Sequence, residues 1–361
     1  MAGRLSGSLG CAYIMFRLKL RHGRSPLAAM GLCNIAALAA LSALAALAAL
    51  SVIAGCASVH NFVPTSPNPA ARLVGYVSCY DGSYAARAAT LNFSRMTHLL
   101  LAFGTANRCD GLCTANSDMT LSLDQDDADL ATLVAAAHAA GVKVMISLGG
   151  GDWTADATIS QFYNAGLSVP FAAAIDQYVT AHNLDGVDVD MEDPSNMGAP
   201  YGDFILALAA RLHPEGKFLT AAVASYLGAV IPHAALAQFD FLNVMIYSNY
   251  ADASGELQYF SSVKAIAPEK LVLGVPFFGS TANWTREESY ATILAAYPDA
   301  WQKDEVSGGS LDNGITLDYV GESTMAQETQ LGARYGGIMI WELTQDAGGP
   351  HSLLSVIQKN L

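Results

Sequence analysis

Four carboxylates fall within eight residues at Asp185-Gly-Val-Asp188-Val-Asp190-Met-Glu192, in a stretch otherwise built of apolar residues and glycine. Alternate side chains of a strand share a face. Asp188, Asp190 and Glu192 therefore project to one side, and Val187, Val189 and Met191 to the other. Buried like charges repel and are costly to desolvate. A chain that keeps them in a row needs them, and carboxyls with displaced pKa values are the groups that move protons. An acidic strand end facing water, or a calcium site, would use the same residues, but neither requires the opposite face to be wholly apolar. Asp185 has the wrong parity for the acidic face and reads as a structural acid at the strand's entrance.

Around this strand the chain repeats one pattern. Apolar runs at 73–79, 97–104, 142–148, 186–192, 218–224, 240–247, 271–277 and 337–342 read as strands. Segments 127–140, 168–182, 201–212 and 321–334 read as helices between them, and Gly141, Gly216 and Gly336 stand where helices should end. Eight such units predict a closed (β/α)8 TIM barrel in a single domain, 72–361. An open doubly wound sheet fits less well, because Tyr80-Asp-Gly-Ser83 replaces a glycine-rich phosphate turn after the first strand. Chemistry in such a barrel sits at the C-terminal ends of the strands. Glu192, Gly149-Gly150, Tyr247 and Trp341 all fall there.

The first 55 residues hold five of the 18 Lys and Arg, none of the 32 acids, and a long Ala/Leu-rich run. That is the form of a secretory signal, with an uncleaved anchor helix as the alternative. Met15 or Met30 are candidate starts. Residues 56–71 are rich in Pro, Ser and Asn and read as a tether. A formal charge of −14 argues against nucleic acid and suits a neutral substrate. Cys109 and Cys113 flank a loop and could close a small disulfide, with Cys79 left over. No His or Cys spacing implies a metal, and no cofactor is expected.

These residues resemble glycoside hydrolase family 18, the chitinases and endo-β-N-acetylglucosaminidases. Asp185, Asp188, Asp190 and Glu192 fill its DxxDxDxE signature, Ser147-Leu-Gly149-Gly150 its SxGG signature, Met245-Ile-Tyr247 most of its sixth-strand pattern, and Gly337-Ile-Met-Ile-Trp341-Glu342 its last strand. Met191 stands where an aromatic is usual and Ser248 where an Asp is usual, with Asn249 as the candidate replacement. The family's large insertion between the last two strands is missing, since 279–335 is short and reads as mostly helical, with one helix over 287–297. The resemblance implies hydrolysis of β-1,4-linked N-acetylglucosamine by a substrate-assisted retaining mechanism. Glu192 would be acid and base, Asp190 would hold the acetamido group, Asp188 would share a proton with Asp190, and Tyr247 would donate to the acetamido oxygen. Trp341 would floor the sugar site, with Tyr76, Phe103, Ser147, Gly149, Gly150, Met245 and Asn249 shaping or lining it.

The resemblance leaves an endo-β-N-acetylglucosaminidase of N-glycans, a peptidoglycan-acting enzyme and a non-catalytic chitin-binding lectin as competing readings. Ile53-Ala-Gly-Cys56 is similar to a bacterial lipoprotein box, which implies lipidation at Cys56. The expected partners are thus an N-acetylglucosamine-containing glycan and, through the anchor, a lipid bilayer. The protein is expected to be an exported, membrane-tethered monomer, with free secretion as the alternative.

Overall fold

The computed structural model describes residues 64–361 except 81, 152, 248, 249, 310, 312, 313 and 315. The expected signal, Cys56 and the first part of the tether lie outside these residues, as do Ser248 and Asn249. Eight strands form the centre: β1 Arg72–Ser78, β2 His98–Ala106, β3 Lys143–Gly150, β4 Gly186–Met191, β5 Phe218–Val223, β6 Phe241–Met245, β7 Leu271–Pro276 and β8 Gly337–Trp341. Each pairs in parallel with its neighbours, and pairing of β1 with both β8 and β2 closes the ring. The strands are apolar on both faces because both are covered. Leu73, Val144, Val187, Val189 and Met191 belong to a large cluster between the ring and its helices. Val74, Leu100, Met145, Phe241, Val272 and Met339 fill the interior.

Helices Asp127–Ala139, Ser168–Ala181, Ala199–Leu212 and Glu322–Gly332 stand within two residues of the expected bounds. Gly141 and Gly216 adopt φ of +78° and +71°, as helix-terminating glycines do. At the end of Glu322–Gly332 the positive φ, +121°, falls on Gly337 rather than Gly336. A Cβ on Gly337 would meet the Arg72 carbonyl oxygen at 2.0 Å, so close approach of β1 sets that glycine.

The segment between β7 and β8 is small but is not mostly helical. Phe278–Ser280, Glu287–Ser289, Glu305–Val306 and Leu317–Asp318 form a four-stranded antiparallel sheet. The helix expected over 287–297 starts at Tyr290, because the Ser289 side chain accepts from the Thr292 N–H and caps it there. The loop after β2 carries a disulfide between Cys109 and Cys113, and Cys79 remains a thiol.

Candidate active site

Strand β4 delivers its acids inward. Asp188, Asp190 and Glu192 are 0%, 4% and 7% exposed, while Met191 packs outward toward the helices. Asp188 lies deepest, surrounded by donors from four other strands. Its Oδ2 accepts from Tyr76 Oη of β1 and Ser147 Oγ of β3, both at 2.7 Å. Its Oδ1 accepts from Thr220 Oγ1 of β5 at 2.6 Å and Asn243 Nδ2 of β6 at 3.2 Å. Burial lifts the pKa of Asp188, but these four bonds oppose the lift. Asp190 has no such support, and its Oδ1 has no hydrogen-bond partner. Burial, then the charges of Glu192, Asp188 and Asp156, hold its pKa well above the carboxylate range. Four donors thus converge on Asp188 and work against burial, whereas Asp190 has no such bonds and is held strongly toward its protonated form, an arrangement in which a proton of the pair rests more readily on Asp190.

Glu192 sits one residue beyond the last ladder position of β4. Burial pushes its carboxyl up to about 7, opposed by a hydrogen bond from Tyr226 Oη to Oε2 at 3.4 Å. A group with that pKa is half protonated near neutrality, whereas an ordinary glutamate is almost fully ionised there. Asp185 faces the other way, at the strand's entrance. It accepts from Lys143 Nζ and the Val144 N–H and bonds His138 Nε2, each at 2.8 Å, and these bonds outweigh burial to lower its pKa.

Three aromatics cluster on the inner face of the ring beside these acids. Trp341 stacks on Phe103 with centroids 5.3 Å apart, and Tyr76 meets Trp341 edge-on at 5.4 Å. Phe103 gains the inner face because the β2–β3 register shifts between Ala102 and Gly104. Without that bulge, inward His98, Leu100 and Ala102 would send residue 103 outward. Gly150 has a φ of +97°, and a Cβ there would fall 2.5 Å from the Phe103 ring. Met245 follows Asn243 on the inner face of β6 and packs against the interior cluster. Tyr247 lies just past β6, where burial and the charges of Asp190 and Glu192 raise its pKa strongly, so it keeps its proton as a donor.

Several groups around the site were not singled out from sequence. Thr220 and Asn243 are inward polar residues in apolar strands, a signal the sequence did carry. Tyr226 lies in a short helix after β5, and Asp156 in the helix Trp153–Asn164; neither has a sequence signal. Glu287, on the small sheet, is pushed up to about 7 by burial, and its charge acts on Tyr247. Phe278 of the same sheet and Trp284, in the turn between its first two strands, continue from the Tyr247 ring at centroid steps of 5.5 and 6.1 Å. This sheet therefore walls one side of the site.

The sequence profile of the glycosyl hydrolases family 18 matches residues 72–346, the whole ring and its site. The chain belongs to family 18. It is 26% identical over 285 residues to a chitinase-like effector of Moniliophthora perniciosa, covering 65% of this chain and 62% of that protein's length. The crystal structure of the family 18 chitinase ChiB from the chitin utilization locus of Flavobacterium johnsoniae superposes with a TM-score of 0.68 at 29% identity, covering 82% of this chain and 94% of that one. A plant class V chitinase mutant from Cycas revoluta, crystallised with (GlcNAc)3, shares the fold with a TM-score of 0.65 at 19% identity, covering 80% and 99%.

Proposed function

We propose that the protein is an endo-acting glycosidase of β-1,4-linked N-acetylglucosamine polymers, working by substrate-assisted retention with Glu192 as acid and base. The observation that carries this reading is the buried row of three carboxyls, with Asp188 held by four donors, Asp190 raised well above the carboxylate range and Glu192 pushed by burial up to about 7. In the first step the acetamido carbonyl oxygen of the substrate attacks the anomeric carbon. The glycosidic bond breaks, and its electron pair passes to the leaving oxygen, which takes the Glu192 proton. Asp190 Oδ1, unpartnered in the free protein, accepts the acetamido N–H, and Tyr247 donates to the acetamido oxygen. In the second step Glu192 takes a proton from water, whose oxygen opens the oxazolinium ring at the same carbon and regenerates the acid. Trp341, backed by Phe103, offers one face to a pyranose ring.

Export and lipid attachment through Cys56 are part of the same proposal and place the barrel outside the cytoplasm, on a membrane. The test is mass spectrometry of products from chitin oligomers beside those from a high-mannose glycopeptide. Shorter N-acetylglucosamine oligomers, released with retained anomeric configuration and blocked by a sugar thiazoline, are expected. Cleavage of the glycopeptide alone would move the substrate to N-glycans. Binding without cleavage would make the protein a lectin.

A further inference from the structure

Asp156 has no part in the steps above, yet it is 0% exposed and lies in the first turn of Trp153–Asn164. Its Oδ2 accepts from two successive peptide groups, the N–H of Glu192 at 2.8 Å and of Asp193 at 2.9 Å. The β4 ladder explains why those peptides need a partner. Its pairing with β5 ends at Val189 and with β3 at Met191, so Glu192 leaves the sheet with no neighbouring strand to hold its backbone. Buried N–H groups are costly unpaired, and here a side chain from the helix that follows β3 takes the place of the missing rung.

The neighbouring strand makes room for that side chain. Gly149 has a φ of +97°, and a Cβ there would lie 2.6 Å from Asp156 Oδ1 and 2.6 Å from the Asp190 carbonyl oxygen. The glycine before the acid's strand and the carboxylate behind the acid's peptide thus occupy complementary space. Oδ1 itself has no hydrogen-bond partner, an expensive arrangement for a group needed solely as an acceptor.

We propose that Asp156 is a positioning residue for Glu192, clamping its peptide so that the side chain leaves the barrel rim toward the sugar. This rests on the reading of Glu192 as the acid. The clamp is also electrostatic. Burial lifts the Asp156 carboxyl to about 7, against its two N–H bonds, and the charges of Glu192 and Asp193 act on it. Asp190 from β4, Tyr163 from its own helix, Tyr201 from Ala199–Leu212 and Tyr226 also feel its charge. An ionised Asp156 disfavours ionisation of Glu192, so removing the charge lets Glu192 lose its proton at lower pH.

The experiment compares Asp156→Asn, which keeps an acceptor without the charge, with Asp156→Leu, which removes the acceptor. Steady-state kinetics of the full chain on a chitin oligomer are followed across pH, with Glu192→Gln as control. Asn is expected to move the alkaline limb of kcat/KM to lower pH by about 0.5 unit or more, with KM unchanged. Leu is expected to lower kcat by about 10- to 100-fold, again without raising KM. An unmoved limb in Asn overturns the proposal, and decides alone if the Leu variant does not fold. Wild-type kcat in folded Leu overturns it as well. If Glu192→Gln is inactive in either case, the acid assignment survives and the clamp alone fails. If Glu192→Gln turns over normally, both fall together.

Discussion

Replacing Gly150 by alanine should damage stability and substrate binding together, by an amount separable into two parts. The first is conformational. A φ of +97° is disfavoured for any residue with a Cβ, at a cost of about 1–3 kcal/mol. The second is steric, since the new Cβ would lie 2.5, 2.6 and 2.9 Å from three carbons of the Phe103 ring. Moving a packed ring costs about 1–3 kcal/mol, and this ring backs Trp341. Gly166 supplies the control: its φ is +74°, and a Cβ there would meet nothing within 4 Å. Gly166→Ala should therefore lose about 1–2 kcal/mol from strain alone. Gly150→Ala should lose about 2–6 kcal/mol and raise KM for chitin oligomers. Urea denaturation of both variants, with steady-state kinetics, measures each part. Equal destabilisation of the two, with KM unchanged in Gly150→Ala, would refute the view that this glycine exists to admit the aromatic cluster.

Two further outcomes follow from buried acids. Glu328 is 1% exposed, both its carboxyl oxygens lack hydrogen-bond partners, and burial pushes it from 4.5 to about 8. The folded state keeps that proton where the unfolded state has lost it, so the contribution is full below 4.5 and is lost as pH rises toward 8. About 3 kcal/mol should disappear between pH 4.5 and 7; Glu328→Gln should flatten thermal stability over that range, and an unchanged slope would show the group to be ionised. Thr220→Val removes the 2.6 Å donor to Asp188 Oδ1 while keeping its shape. It should destabilise by about 2 kcal/mol in urea unfolding and alter the pH profile, because losing this bond raises the Asp188 pKa further; a neutral result in both would show that the hydroxyl does not act on Asp188.

The ring was legible in the sequence because its strands are short apolar runs with polar punctuation, and the acid row because period-two alternation survives in a strand buried on both faces. Parity reasoning sorted Met191 outward and Asp185 to the entrance. It fails at Phe103, where a bulge puts consecutive residues on one face, a feature set by tertiary pairing. It was also blind to Glu287-Glu-Ser289, whose three-residue strand exists by pairing with Phe278–Ser280 and whose composition reads equally well as helix. Thr220 and Asn243 could have been found by asking what polar residues at inward positions of β5 and β6 bond to. Asp156 and Tyr226 could not, since a helix's first-turn acid and a tyrosine in a four-residue helix are ordinary residues until the folded chain brings them to Glu192.

The most direct test of the central claim is turnover of a chitin oligomer by Glu192→Gln, with binding of the same oligomer measured by calorimetry. The glutamine fills the same space and cannot deliver a proton, so kcat should fall by at least about 100-fold while affinity and melting temperature stay near wild type. Turnover at the wild-type rate in a folded, oligomer-binding variant would contradict the account.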